Sequence, residues 1–133
     1  DLGVVAENAD RVAVMYAGRI VETAPVRALF EAPLHPYTRG LFAARPQLDL
    51  SAPGSLPPAR LPTIAGTVPE LVDLPAGCPF AGRCSYTIDT CHQESPAATL
   101  VATDADGDHV VRCLRREAIA EAHGVPQGVE VAA

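Results

Sequence analysis

The first segment of the chain carries apolar residues at helical spacing. In "DLGVVAENAD", Leu2, Val5 and Ala9 recur at intervals of three and four residues, which places them on one face of a helix. Asp1 is a residue type that caps helices, because its carboxylate accepts hydrogen bonds from the first free backbone N–H groups. The pattern predicts a short helix over residues 2–9.

The next segment changes from helical spacing to β-rich runs. "RVAVMY" and "RIVETA" contain many β-branched residues and are separated by Ala17 and Gly18. Two such runs around a glycine-containing turn are typical of a β-hairpin. The sequence therefore predicts two antiparallel strands directly after the first helix.

Two short helices are predicted after this hairpin. "PVRALFEA" opens with Pro25, a residue favoured at the first helical position, and its apolar residues Val26, Leu29 and Phe30 form a stripe. "YTRGLFAA" has a similar composition after a proline. Pro33 and Pro36 break the first helix, and "YTRGLFAA" is a candidate for a second short helix.

The second half of the chain begins with a different composition. Eight of the 13 prolines fall within residues 46–79, which is typical of a linker or an extended arm. "ATLVAT", "DADGD" and "HVVRCL" then predict strand, turn and strand. "LRREAIAEAHG" predicts a terminal helix with Gly124 past its end.

The composition indicates a folded chain with a thin core. The 133 residues are 48% hydrophobic and 20% charged, which excludes a broadly disordered protein. Aromatic residues make up only 5%, and Trp is absent, so the core depends on Val, Leu, Ile and Ala. A small unit with such a core needs a disulfide or a metal as a staple.

The charge and the targeting signals restrict the partners. The net charge is −6, and all ten basic residues are Arg, which argues against a nucleic-acid binder. No apolar run approaches the roughly 18 residues that span a membrane. No signal-peptide pattern opens the chain, which favours a reducing compartment, and the first residue is not Met, so we expect a piece of a longer protein.

Four cysteines supply the staple, at a spacing of C-x5-C-x6-C-x21-C. They are Cys78, Cys84, Cys91 and Cys113. Two disulfides would satisfy them, although a reducing compartment disfavours this pairing. A structural zinc ion prefers pairs at C-x2-4-C, whereas a [4Fe–4S] cluster accepts wider loops between its four thiolates. Four unrelated packing cysteines are the remaining alternative.

Residues close to the cysteines bear on this choice. Arg83 and Arg112 each precede a cysteine, and we expect their charge to offset that of an anionic cluster. His92 and His109 lie near the cysteines in sequence and are alternative metal ligands.

Other motifs carry less chemistry. "DADGD" resembles a calcium loop, but from Asp104 the sixth position is His109 instead of Gly and the twelfth is Arg115 instead of Glu, so a hairpin turn is the better interpretation. "HPYT" at 35–38 has no partner nucleophile, and no spacing of Ser, Cys and His predicts a catalytic triad. Nothing in the pattern indicates a small enzyme.

The motifs together resemble the C-terminal part of the ATP-binding subunits of bacterial oligopeptide and dipeptide ABC importers. "DLGVVAENADRVAVMYAGRIVE" is similar to the end of an ABC ATPase core, where it directly follows the switch histidine, and "APLHPYTRGL" is similar to the His-Pro-Tyr signature of the peptide importers. "IAGTVPELVDLPAGCPFAGRC", Cys91 and "HVVRC" match the C-terminal extension of that family. The resemblance covers residues 1–116. It implies that the four cysteines hold a [4Fe–4S] cluster, as in some members, with zinc as the alternative.

The family resemblance implies an α+β fold in five parts. Residues 1–24 are the last hairpin and short helix of the ATPase core, and residues 25–45 are a helical His-Pro-Tyr region. A Pro-rich connector over 46–76 leads to a small cysteine-rich, metal-stapled accessory domain over 77–123, with a β-hairpin and a C-terminal helix. Residues 124–133 form a disordered tail.

The chain departs from the family at the nucleotide site. A P-loop needs Lys, which the chain does not contain, and no signature sequence like "LSGGQ" or switch histidine is present. ATP and Mg²⁺ therefore belong to the parent protein, and we expect this chain alone to be inactive and to offer no catalytic residue. Because the rest of the core sheet is missing, we expect Val12, Val14 and Ile20 to lack cover.

The resemblance also implies partners and a location. The accessory domain would contact the upstream ATPase core and a partner ATPase subunit, which in turn bind membrane permease subunits. The protein would lie peripherally at the cytoplasmic face of the bacterial inner membrane, without contacting the peptide substrate or nucleic acid. The alternative is a free-standing iron–sulfur or zinc module with no role in transport.

Overall fold

The structure is a computed structural model that describes residues 2–44 and 62–124. The helices and strands of these residues follow in chain order: α1 (Leu2–Asn8), β1 (Arg11–Tyr16), β2 (Arg19–Pro25), α2 (Val26–Glu31), α3 (Pro36–Ala43), a 3₁₀ turn (Ala81–Arg83), α4 (Asp89–Gln93), β3 (Thr99–Asp104), β4 (Gly107–Val111) and α5 (Arg116–Ala122). Both predicted hairpins and all four predicted helices are present. The 3₁₀ turn, which lies between Cys78 and Cys84, and α4, which contains Cys91, were not predicted.

The first hairpin closes through a turn with two left-handed residues. Ala17 has φ +46° and Gly18 has φ +73°. Positive φ at both central residues is the geometry of the two-residue turn that matches the twist of paired strands. Pro25, expected to open α2, ends β2 and stands just before the first helical residue, Val26.

The turn of the second hairpin is organised by its own aspartate. The Asp104 carboxylate accepts hydrogen bonds from the backbone N–H groups of Asp106 and Gly107, at 2.9 and 3.1 Å. Gly107 has φ +126°, a conformation that other residues rarely adopt. The interpretation of "DADGD" as a hairpin turn is therefore confirmed.

The two hairpins form one antiparallel sheet, in the strand order β1-β2-β4-β3. Strands β2 and β4 pair with Glu22 opposite Val111 and Thr23 opposite Val110. The Arg112 backbone N–H donates to the Val21 carbonyl at 2.8 Å and extends this pairing. The second hairpin and the residue before Cys113 are thus joined by backbone hydrogen bonds to the first hairpin.

Buried side chains form two clusters. The first joins the β1–β2 hairpin to α2 and to the cysteine segment through Val14, Tyr16, Ala17, Val21, Ala24, Leu29 and Phe80. The second lies under β4 and α5 and contains Leu34, Val111, Cys113, Ile119 and Ala120.

The first hairpin has more cover than expected. Val14 is buried, so the prediction that it would lack cover is wrong. Ile20 is 47% exposed and agrees with that prediction. Strand β1 remains at the edge of the sheet.

The α+β class is confirmed by this sheet and its five α-helices. The predicted connector lies partly, and the predicted tail almost wholly, outside the described residues, and the five boundaries stay predictions. A cysteine-rich domain stapled by metal is not shown by the fold. In residues 2–44 and 62–124, no helix combines the length and the apolar character needed to cross a membrane.

Candidate functional site

The four cysteines, although far apart in sequence, line one cavity. Cys78 lies just before the 3₁₀ turn and Cys84 just after it, while Cys91 lies in α4 and Cys113 follows β4. All four are free thiols, which does not support the two-disulfide alternative. The structure therefore brings together the residues that the spacing singled out.

A backbone hydrogen bond closes the first cysteine loop. The Cys78 N–H donates to the Cys91 carbonyl at 2.8 Å. Gly77 makes this approach sterically accessible, since a Cβ at that position would collide with the carbonyl groups of Cys91 and His92. Both neighbours are backbone atoms, so a side chain at residue 77 would force the loop apart.

Backbone N–H groups point at three of the sulfurs. The Tyr86 N–H donates to Cys84 Sγ and the Arg115 N–H to Cys113 Sγ, each at 3.3 Å. The backbone N–H groups of Phe80 and Ala81 likewise favour the charged form of Cys78. Donors of this kind stabilise thiolates and tune metal centres that thiolates hold.

Burial opposes the thiolate form in the absence of a cation. It raises the pKa of Cys78 and Cys84, and raises the pKa of Cys113 to about 12. The neighbouring cysteines add to the rise, because thiolates that face the same cavity repel one another. A bound metal centre would instead favour the thiolate over the protonated thiol, since coordination deprotonates thiols.

The arginines expected to neutralise the site have other contacts. The Arg83 guanidinium donates to the carbonyls of Ile64 and Ala65 at 2.9 and 2.7 Å and lies over the Tyr16 ring. Arg112 Nη1 lies 3.4 Å from the Pro96 carbonyl. Their hydrogen bonds hold the chain around the cysteine segment and do not support the predicted role.

Arg115, which sequence reasoning passed over, lines the cavity with the four cysteines. Its charge lowers the pKa of Cys84, against the larger effect of burial. Its Nε is buried and has no hydrogen-bond partner among the described residues. The only available signal was its position two residues after Cys113.

The donor set fits a thiolate-bound group better than a formed single-ion site. Among the described residues, no three Cys, His, Asp or Glu side chains are placed so that they could hold one metal ion. A zinc ion needs four ligands at about 2.0–2.3 Å from one point. The thiolates of a four-iron cluster bind four different irons and stand further apart. Four thiols line one cavity together with Arg115, which meets the second requirement in ligand type.

The His-Pro-Tyr motif is structural. His35 is buried and caps α3, because its Nδ1 accepts the Tyr37 N–H at 3.1 Å, and Pro36 is the first residue of that helix. Burial lowers the pKa of His35 to about 4, so the ring is neutral at pH 7. Tyr37 packs on Tyr16 and Phe80 with ring centroids 4.7 and 5.5 Å apart.

The two histidines considered as alternative ligands do not line the cavity. His92 Nε2 lies 3.5 Å from the Thr87 hydroxyl on the surface. His109 is buried, and its Nε2 lies 2.8 Å from Glu22 Oε1. Glu22 is a central buried residue that sequence reasoning missed. A lone acidic residue in the apolar strand run "RIVETA" was its only signal.

Comparisons with known proteins assign the chain to a family. The family described as "Oligopeptide/dipeptide transporter, C-terminal region" matches residues 21–91, more than half of the chain. That range contains the His-Pro-Tyr motif and three of the four cysteines.

Individual relatives agree with the family match. A peptide import ATP-binding protein of Brucella ovis is 47% identical over 120 residues, which are 90% of this chain and 34% of the relative. One from Brucella melitensis is 45% identical over 116 residues, 87% of this chain and 32% of the relative. The dipeptide transport ATP-binding protein DppD of Bacillus subtilis is 43% identical over 128 residues, 96% of this chain and 35% of the relative.

The chain spans about a third of the length of the curated relatives it matches. The family match begins at Val21 in β2 and covers the His-Pro-Tyr helix and the chain up to Cys91. The chain thus belongs to the family of oligopeptide/dipeptide transporter C-terminal regions.

Proposed function

We propose that this chain is the C-terminal part of the ATP-hydrolysing subunit of a peptide importer, and that its cysteine segment holds a [4Fe–4S] cluster. The family match and the relatives, named as peptide import and dipeptide transport ATP-binding proteins, support the first part. The single observation that carries the second part is that Cys78, Cys84, Cys91 and Cys113 all line one cavity.

The cluster would act on the fold as a cross-link. When bound, it joins four protein sulfurs through iron and can also carry an electron. The chain's own residues prepare the site: Gly77 allows the loop to close, and the Tyr86 and Arg115 N–H groups donate to two of the sulfurs. Because Cys113 follows β4, the cross-link would tie the cysteine loop to the sheet.

ATP hydrolysis belongs to the parent protein in this proposal. MgATP would bind upstream motifs that this chain does not contain, so isothermal calorimetry on the 133-residue chain is expected to show no MgATP binding. A dissociation constant in the micromolar range would overturn the assignment of the nucleotide site to the parent.

The proposed partners are proteins of the transport complex. The accessory segment would contact the upstream ATPase core and the partner ATPase subunit, which bind the permease subunits at the cytoplasmic face of the inner membrane. It would not contact peptide or nucleic acid. A free-standing iron–sulfur or zinc module is the rival function. Reversible electron uptake without any ATPase partner would favour the rival, and partner binding without a redox change would favour the importer.

Anaerobic purification tests the cluster. The wild-type chain is expected to be brown and to contain about four irons, as a four-cysteine [4Fe–4S] cluster requires. Cys91→Ser should lose the colour and melt at a lower temperature, because metal binding contributes to folding free energy. Thr90→Ser, one residue away on α4, is the control and should keep both.

Two other outcomes would contradict the cluster. One zinc per chain without iron would establish the structural-zinc alternative. Metal-free protein with four reactive thiols, and an unchanged melting temperature in Cys91→Ser, would mean that the cysteines are packing residues.

A further inference from the structure

Arg115 contacts the cysteine site through both its backbone and its side chain. Its backbone N–H donates to Cys113 Sγ at 3.3 Å, while its side chain lines the cavity that the four thiols share. The Nε is buried and lacks an acceptor among the described residues. Buried polar groups are nearly always paired, and an acceptor bound in the adjacent cavity would satisfy this N–H.

The neighbouring arginines have acceptors elsewhere. Arg116 Nη2 donates to Glu117 at 3.1 Å, and its Nη1 lies 3.4 Å from the Cys113 carbonyl. Arg83 and Arg112 donate to backbone carbonyls. Of the arginines close to the cysteines, Arg115 is the one with a buried N–H that has no acceptor in the described part of the chain.

The negative charge of a metal–thiolate centre in the cavity would explain why an arginine lines it. Four thiolates around one divalent ion carry a net charge of −2, and a cluster held by four thiolates is also anionic. An anion in a buried cavity requires a counter-charge, and guanidinium is the cation that stays charged when buried and donates directional N–H bonds.

We propose that Arg115 is the counter-charge of the cysteine site, and that its Nε–H donates to a sulfur of the anionic metal–thiolate centre. This inference rests on the proposed function only in that the four cysteines form one site. The role is the same for a cluster and for a single divalent ion, although a single ion requires the thiols to move closer together than the structure places them. Arg115 is a positioning residue. Its positive charge favours the binding of an anionic four-thiolate centre over the binding of an uncharged group.

Cobalt(II) is the first probe, because thiolate-to-metal charge-transfer absorption reports its coordination without catalysis. The metal-free wild-type, Arg115→Gln, Arg115→Lys and Arg116→Gln chains are titrated with Co²⁺. Arg115→Gln should bind about tenfold more weakly, since one buried charge pair is removed. Arg116→Gln loses the same charge from the neighbouring residue and should bind like the wild type. Arg115→Lys should recover part of the loss.

The second probe is the reconstituted cluster. Removing a positive charge makes the addition of an electron less favourable. The reduction equilibrium of Arg115→Gln should therefore fall about tenfold, which for one electron is about 59 mV. Circular dichroism of the metal-free proteins identifies variants that do not fold. If Arg115→Gln does not fold, Arg115→Lys takes its place. A reduction potential that differs from the wild-type value then supports the role of Arg115, and an unchanged potential contradicts it.

The outcomes separate this inference from the cluster assignment. Cobalt binding that weakens in Arg115→Gln, without any assembled cluster, would overturn the [4Fe–4S] assignment and support the role of Arg115. A cluster whose potential is unchanged in Arg115→Gln would overturn the role of Arg115 and support the cluster. If neither cobalt nor iron binds the wild type, both are wrong.

Discussion

Glu22 and His109 face each other across the β2–β4 pairing, with Oε1 and Nε2 2.8 Å apart and both side chains buried. The same carboxylate accepts the backbone N–H groups of Leu34 and His35 at 2.6 and 3.1 Å. One acidic side chain therefore joins the first hairpin, the His-Pro-Tyr segment and the second hairpin. Three donors compensate for the cost of burying its charge.

Removing this carboxylate should destabilise the whole sheet. Glu22→Ala leaves three buried donors unpaired and is expected to lower the free energy of unfolding by about 3 kcal/mol. Urea unfolding followed by circular dichroism measures the change. Glu31→Ala removes an exposed carboxylate that pairs with Arg27 and serves as the control, with an unchanged midpoint. Equal midpoints in the two variants would contradict the central role of Glu22.

Acid should destabilise the fold through His35. Burial lowers its pKa from 6.5 to about 4, although the Glu22 charge works in the opposite direction. Between these values the unfolded chain takes up a proton that the folded His35 does not. Stability is therefore full above about pH 6.5 and decreases toward pH 4, by about 3 kcal/mol in total.

His35→Asn isolates this effect. Asn caps helices well but does not titrate, so the variant should lose less stability than the wild type between pH 6.5 and pH 4.5. The measurement is urea unfolding at several pH values. If the two proteins show the same dependence on pH, His35 is not the group that resists protonation.

Two glycines in the cysteine segment provide a matched pair. A Cβ at residue 77 would collide with the backbone of Cys91 and His92, whereas a Cβ at residue 82 meets no atom within 4 Å. Gly77→Ala should cost about 2 kcal/mol or more and impair metal binding, because the cysteine loop cannot close. Gly82→Ala should change neither the melting temperature nor the metal content. A tolerated Gly77→Ala would show that the Cys78–Cys91 hydrogen bond is dispensable.

Truncation of the N-terminus should distinguish the contribution of α1 to stability from that of the β1–β2 hairpin that follows it. Helix α1 has no buried residue, so deletion of residues 1–9 should keep the melting transition. Deletion of residues 1–23 removes β1, most of β2 and the Glu22 carboxylate, and should abolish cooperative melting. Circular dichroism against temperature distinguishes the two. If the chain without residues 1–23 is soluble and folded, the accessory domain folds independently of the first hairpin.

The local elements followed from the sequence because their signals are local. The turn residues Ala17 and Gly18 predicted the first hairpin, the spacing of apolar residues predicted α1 and α2, and Gly124 marked the end of α5. The four cysteines were predicted to form one site from their number and from the family resemblance, and the structure places all four along one cavity. Short-range backbone preferences and the identity of the donor atoms sufficed for these conclusions.

Only the tertiary structure decided how these elements combine. The pairing of β2 with β4 joins residues almost ninety positions apart, and apolar spacing indicates which face of a strand is buried without indicating what covers it. The partners of Glu22 arise from that pairing. Arg115 looked like one of several arginines near a cysteine, and only its place in the cavity distinguished it from Arg83 and Arg112, because the direction of a long side chain depends on the packing around it.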